Sequence, residues 1–124
     1  MSGVRQARGA AARLSGRRGE VLAALWLMAK GYRILGFRLA ALQGEIDLLA
    51  IRRGVLAVVE VKRRTSLEAA LEAVKPAQRE RLRRAAAQIA STRPALRAMS
   101  IRLDLFALAP GRRPRHIPDA WRGG

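Results

Sequence analysis

The chain has 124 residues and a formal net charge of +16, from 25 Lys and Arg against 9 Asp and Glu. That length suits one domain with one core, and an apolar half argues against a disordered tail. Cysteine is absent and His116 is the single histidine, so disulfides and thiolate metal sites are excluded, and neither a His-based zinc site nor a Ser-His triad is expected. The cations are almost all arginine, with lysine only at Lys30, Lys62 and Lys75. Such an excess predicts an anionic partner, nucleic acid first, because the planar guanidinium can grip phosphate with two donors. A high-GC genome would explain the Arg/Lys ratio, but not the shortage of acids.

Residues 1–14 are rich in Gly, Ala and Arg and read as a loose basic N-terminus, ahead of a domain over 15–109. "VLAALWLMA" from Val21 to Ala29 is as long as a signal-peptide apolar region. Glu20 at its start and the missing small-x-small cleavage site speak against that role. It is also too short to span a bilayer, so a cytoplasmic protein with no membrane association is expected. A helix is predicted from about Arg17 to Lys30, stopped by Gly31. Leu22, Leu25, Trp26 and Ala29 mark one face while Ala23, Ala24 and Leu27 make the other apolar too, so the helix is expected to be buried all round, with Leu25 and Trp26 in the core.

"YRILGFRLA" (Tyr32 to Ala40) reads as a strand interrupted by glycine. "GEIDLLAI" and "VLAVVEVK" follow as two more, joined by a short turn at Arg53-Gly54. Thr65-Ser66-Leu67-Glu68 matches a capping box, so a helix starts there. Pro76 interrupts it or opens a second helix running to about Ala90. "SIRLDLFAL" (Ser100 to Leu108) alternates as a last strand, with Arg102 and Asp104 read as structural. Residues 110–124 form a basic tail rich in Pro and Gly. The order helix, three strands, helix, strand predicts one layered α/β domain.

The middle strands carry scarce acids. Alternation puts Glu45 and Asp47 on one face of their strand, opposite Ile46 and Leu48, and puts Glu60 with Lys62 on one face of the next. With Arg53-Gly54 as a two-residue loop, Asp47 falls opposite Glu60 and Glu45 opposite Lys62, with Cβ atoms about 5 Å apart. Like charges so placed need a counter-ion. Lys62 is one candidate, and Mg²⁺ or Mn²⁺ held by hard carboxylate oxygens is another. The plainer alternative is a Glu45–Lys62 cross-strand pair on a solvated sheet face.

Asp47 followed by Glu60-Val61-Lys62 across a hairpin resembles the metal-dependent nuclease motif PD-(D/E)xK. Gly19-Glu20, "GEIDLLA" at Gly44 to Ala50, "VVEVKRR" at Val58 to Arg64 and "AVKPAQRERLRRAA" at Ala73 to Ala86 together resemble the YraN-like family of small bacterial proteins, held to be endonucleases distantly akin to Holliday-junction resolvases and restriction endonucleases. The resemblance covers about residues 16 to 108. It implies a restriction-endonuclease-like fold, a mixed sheet flanked by helices. It implies Asp47 and Glu60 as ligands of Mg²⁺ or Mn²⁺, Lys62 as the catalytic lysine, and Glu20 as a further catalytic, metal-binding carboxylate. Without metal, Glu20 is a favourable charge near a helix N-terminus. Glu45 and Gln78 take supporting places, Glu45 by orienting Lys62. Arg63, Arg64, Lys75 and Arg79 are the expected nucleic-acid contacts. Gln78 and the helix arginines Arg79, Arg81, Arg83 and Arg84 also fit an ordinary solvated face, whereas Arg63 and Arg64 directly follow the strand and are better placed to meet DNA.

The expected function is hydrolysis of DNA phosphodiester bonds by a metal-dependent endonuclease, on branched or damaged DNA in repair or recombination. A resolvase cuts opposing strands and so implies a homodimer. The alternative is a non-catalytic nucleic-acid-binding protein of the same fold. A third reading, a small RNA-associated basic protein, fits less well, because two Trp, one Tyr and two Phe leave few faces for stacking bases.

Overall fold

The computed structural model describes residues 17–122; the expected loose segment 1–14 lies outside them. The first helix, α1, covers residues 17–29. Gly31 ends it at φ +91°, donating its N–H to the Met28 carbonyl at 3.0 Å while Tyr32 N bonds the Leu27 carbonyl at 3.0 Å. A left-handed residue here closes the last turn, and only glycine takes it without strain.

The strands β1 (Arg33–Ala41), β2 (Gly44–Arg52) and β3 (Val55–Arg63) form an antiparallel meander. Arg53 and Gly54 both have positive φ, +48° and +77°, the two-residue turn whose twist suits a hairpin. The predicted register holds from Arg52–Val55 to Leu48–Val59. In β1 the pairing shifts between Ile34 and Gly36, so the glycine interruption is a bulge.

Two helices follow, α2 (Leu67–Glu72) and α3 (Pro76–Ser91), with Pro76 in the first turn of α3 where its missing N–H costs nothing. The cap of α2 is Ser66, whose Oγ accepts from Ala69 N at 3.1 Å. The expected box is thus displaced by one residue, and Glu68 lies too early in the helix to close it. A 3₁₀ turn (Pro94–Leu96) leads to β4 (Ser100–Leu108), parallel to β3 along its whole length. The strands β3 and β4 with α2 and α3 between them make a crossover unit.

The sheet has one strand more than expected. β5 (Arg115–Ile117) pairs antiparallel with β4, giving the order β1-β2-β3-β4-β5. The basic tail is therefore docked. Trp121 Nε1 donates to the Leu71 carbonyl at 3.0 Å, and Ala120 N bonds the Leu103 carbonyl at 3.1 Å. Arginines and prolines hid this strand, which is only three residues long and half-buried.

Helices cover both faces of the sheet. Leu82, Ala85, Ala86 and Ala90 of α3 pack on Leu49, Leu56, Val58 and Leu103, the small alanines letting the helix approach closely. On the opposite face Ala23, Ala24 and Leu27 of α1 pack on Leu48, Ala50, Val59 and Phe106. Full burial of one such leucine contributes roughly 1.5–3 kcal/mol. α1 is covered on one side only: Val21, Leu22, Met28 and Leu25, the last 57% exposed, face outward. The expected all-round burial fails because the sheet offers one surface and nothing else among the described residues covers the helix. Trp26 is partly buried and meets the Phe106 ring edge-on at 6.1 Å.

Candidate metal centre

Strand alternation breaks at Asp47. Ile46 packs with α3 while Leu48 packs with α1, although a regular strand would point both the same way. The β2–β3 ladder ends at Leu48–Val59, one step short of Asp47 and Glu60. In place of the next rung, Asp47 Oδ2 accepts from Val61 N at 2.9 Å. The carboxylate thus takes a donor of the active strand itself. The expected face-sharing of Glu45 with Asp47, opposite a matched Ile46 and Leu48, does not hold. The neighbourhood of Asp47 and Glu60 does.

Glu60 is buried, its side chain 4% exposed, and its Oε1 has no hydrogen-bond partner among the described residues. Lys62 Nζ lies 3.8 Å from Oε2. Burial, followed by the Asp47 charge, pushes the Glu60 pKa up to about 8, against the pull of Lys62. Burial likewise raises the Asp47 pKa, helped by the charges of Glu20 and Glu45 and opposed by Val61 N and Lys62. A long contact to one ammonium cannot offset the desolvation of two neighbouring carboxylates.

The other predicted residues divide. Glu20, at the buried edge of α1, is near enough for its charge to act on Asp47, but Arg38 Nε donates to both its oxygens, at 2.9 and 3.0 Å. Arg38 lies on β1 at φ +48° and went unrecognised in the sequence, where it reads as one more exposed strand cation. Glu45 is exposed, pairs with Ala40 of β1, and forms no ion pair with Lys62 among the described residues. Gln78 is half-buried on α3, with no side-chain hydrogen bond to the carboxylates. Lys75 is exposed at the start of α3. Arg79 packs its guanidinium 5.8 Å over the Trp121 ring, with Nε buried and without a hydrogen-bond partner among the described residues. Arg63 and Arg64 are exposed directly after the Glu60–Lys62 stretch.

Arg102 and Asp104, expected to be structural, form a hydrogen-bonded cluster around the fully buried Asp104. Burial would raise the Asp104 pKa, but two bonds from Arg102 at 2.8 Å, one with His116 at 2.8 Å and one from Asp119 N at 3.0 Å hold it below the usual carboxylate range. Nothing in the sequence pointed His116 at Asp104, since the two meet only when the tail docks.

Among the described residues no three Asp, Glu or His side chains converge into a metal cage. The donor set nevertheless fits a hard divalent cation that keeps most of its waters. Two adjacent carboxylates, one with an orphaned buried oxygen, are what Mg²⁺ or Mn²⁺ takes from a protein. Among the described residues no helix is long and apolar enough to cross a membrane.

The model of the uncharacterised protein family UPF0102 matches residues 19–108. A UPF0102 protein of Caulobacter sp. (strain K31) is 79% identical over 117 residues, covering 94% of this chain and 84% of the relative. One from Caulobacter vibrioides is 71% identical over 122 residues, 98% of each chain. A third, from Paramagnetospirillum magneticum, is 48% identical over 116 residues, 90% of each. The matched span holds Glu20, Asp47, Glu60 and Lys62 together with most of the first helix and every element from β1 to β4, and on that match the chain belongs to the uncharacterised protein family UPF0102.

Proposed function

We propose that this protein is a Mg²⁺- or Mn²⁺-dependent DNA endonuclease with a restriction-endonuclease-like fold, acting in the cytoplasm on branched or damaged DNA in repair or recombination. The observation that carries this reading is the Glu60 carboxyl, buried beside Asp47 with one oxygen unpartnered. Such an arrangement is costly in a merely structural role and is relieved by a cation. Asp47 and Glu60 would hold the metal. When bound, it supplies Lewis-acid charge to the scissile phosphate and acidifies a water.

The chain's own groups do the rest. Val61 N fixes the Asp47 carboxylate, so its free oxygen is directed before any ligand arrives. Lys62, on the same strand as Glu60 and 3.8 Å from its Oε2, would donate to a phosphate oxygen as negative charge builds there. Arg63 and Arg64 continue that strand outward and would hold the flanking backbone. Cutting both strands of a junction would need two copies of the chain.

One observation favours a second reading, a nucleic-acid-binding protein without catalysis. Glu20, the third carboxylate that the nuclease reading wants, is held by Arg38. The deciding experiment is a cleavage panel on linear duplex, flap, four-way junction and single-stranded DNA with Mg²⁺ or Mn²⁺, with Glu60→Gln in parallel. The endonuclease reading expects metal-dependent cutting by the native protein, and loss of at least a hundredfold in the variant with DNA affinity retained. Binding without cutting on every shape would leave the second reading.

A further inference from the structure

At the far end of the β2–β3 hairpin from Asp47 and Glu60 lies a second charged feature. From Asp47 to Arg53 the strand spans roughly 20 Å. There a cleft of about 420 Å³ opens between the end of α1 and the hairpin turn, lined by Lys30, Arg33, Arg52 and Arg53 with Ile51 and Met99. Among the described residues no carboxylate lines it. None of the four cations forms an ion pair among the described residues, whose pairs use Arg38, Lys62, Arg84, Arg102, His116 and Arg122.

Two of these cations are held in place by groups that are not carboxylates. Lys30 Nζ lies 2.9 Å from His116 Nδ1, and the other ring nitrogen of His116 is taken up by Asp104 at 2.8 Å. The Arg52 guanidinium sits 5.5 Å over the Tyr32 ring. Four cations around one cleft repel each other, and an anion that bridges them offsets the cost. Guanidinium forks match phosphate oxygens two at a time.

We propose that this cleft binds the phosphate backbone of a nucleic acid, at a site separate from the metal centre and independent of any catalysis there. The chemistry selects backbone over a free nucleotide. No aromatic side chain lines the cleft among the described residues, and Tyr32, which Arg52 covers at 5.5 Å, is only 7% exposed and so offers little ring surface to a base. Recognition is therefore by charge, without regard to sequence. The docked tail takes part, because β5 carries the His116 that positions Lys30.

The test measures binding of a labelled 20-base-pair duplex in EDTA, across a salt series, with the full chain. The double variant Arg33→Gln/Arg53→Asn alters two exposed side chains and keeps a residue tolerant of positive φ in the turn. Loss of two phosphate contacts flattens the log–log salt slope by about 1.8, and Lys30→Gln alone flattens it by about 0.9. A circular-dichroism melt identifies a misfolded double variant, in which case Lys30→Gln decides. Native slopes in the folded variants would overturn the proposal. So would tight capture of inorganic triphosphate, seen as shifts of the Gly31 and Gly54 amides, with the duplex slope untouched, since the cleft would then serve a small phosphate ligand. EDTA suppresses cleavage, so a slope that depends on Arg33, Arg53 and Lys30 would stand even if no DNA were ever cut.

Discussion

Glu60 combines burial, a neighbouring carboxylate and an unpartnered oxygen among the described residues in one side chain. Its pKa is raised to about 8 from an ordinary 4.5, with burial as the leading cause and Asp47 as the next. A raised carboxyl pKa means that the folded state binds the proton more tightly than the unfolded chain. The stabilisation is therefore full below about pH 4.5 and is lost as pH rises to about 8, by on the order of 3–5 kcal/mol. In EDTA the native protein should lose Tm relative to Glu60→Gln between pH 5 and pH 8.5. Equal pH dependence in the two proteins would show that Glu60 is not held protonated. Saturating Mn²⁺ should restore the native Tm at pH 8.5 and leave the variant almost unmoved. The EVK triplet and the preceding Asp were legible in the sequence as a charged constellation. The orphaned oxygen and the Val61 N–H on Asp47 were not, because both follow from how far the two strands separate.

Among the elements, α1 and the tail departed furthest from their expected form. Apolar residues all round α1 suggested complete burial, yet only the side with Ala23, Ala24 and Leu27 meets the sheet. Leu27→Ala should cost about 3 kcal/mol in chemical denaturation, as a fully buried leucine does, whereas Leu25→Ala should stay within about 0.5 kcal/mol. Similar losses at both positions would place Leu25 in a contact surface. Trp121 binds the tail to α2 and α3 through its bond to Leu71 and the Arg79 guanidinium stacked upon it. Trp121→Ala should destabilise the fold by about 2 kcal/mol, less than a fully buried Trp because the residue is only partly buried, and should raise amide exchange in β5 first. Uniform exchange across the sheet would mean that the tail does not open as a unit. The hairpin, Pro76 and the alternation of β4 were all readable locally, since each is a matter of turn chemistry or short-range period.

Over the whole molecule the charge is sorted by position. The mutually interacting acids Glu20, Asp47 and Glu60 sit towards one end of the hairpin, while Lys30, Arg33, Arg52 and Arg53 stand at the other. With a net charge of +16, nucleic-acid affinity should fall steeply with salt. Replacing Arg63 and Arg64 together by Gln should weaken duplex binding for every sequence alike and flatten the slope by about 1.8, in steady-state anisotropy. An unchanged slope would remove that pair from the interface.

Local order and charge were determined by the sequence itself. The stop of α1 at Gly31, the turn at Arg53-Gly54, the register that brings Asp47 towards Glu60, and the excess of arginine all depend on residues near one another in the chain or on their number. Tertiary structure decided the rest. It chose the covered side of α1, set Arg38 on Glu20, drew His116 onto Asp104 and turned the tail into a fifth strand. Arg38 and Glu20 lie 18 positions apart and His116 and Asp104 12. The fifth strand needs Trp121 to reach Leu71 50 positions away, and the covered side of α1 depends on which surface the sheet presents, so no local period or propensity encodes such meetings.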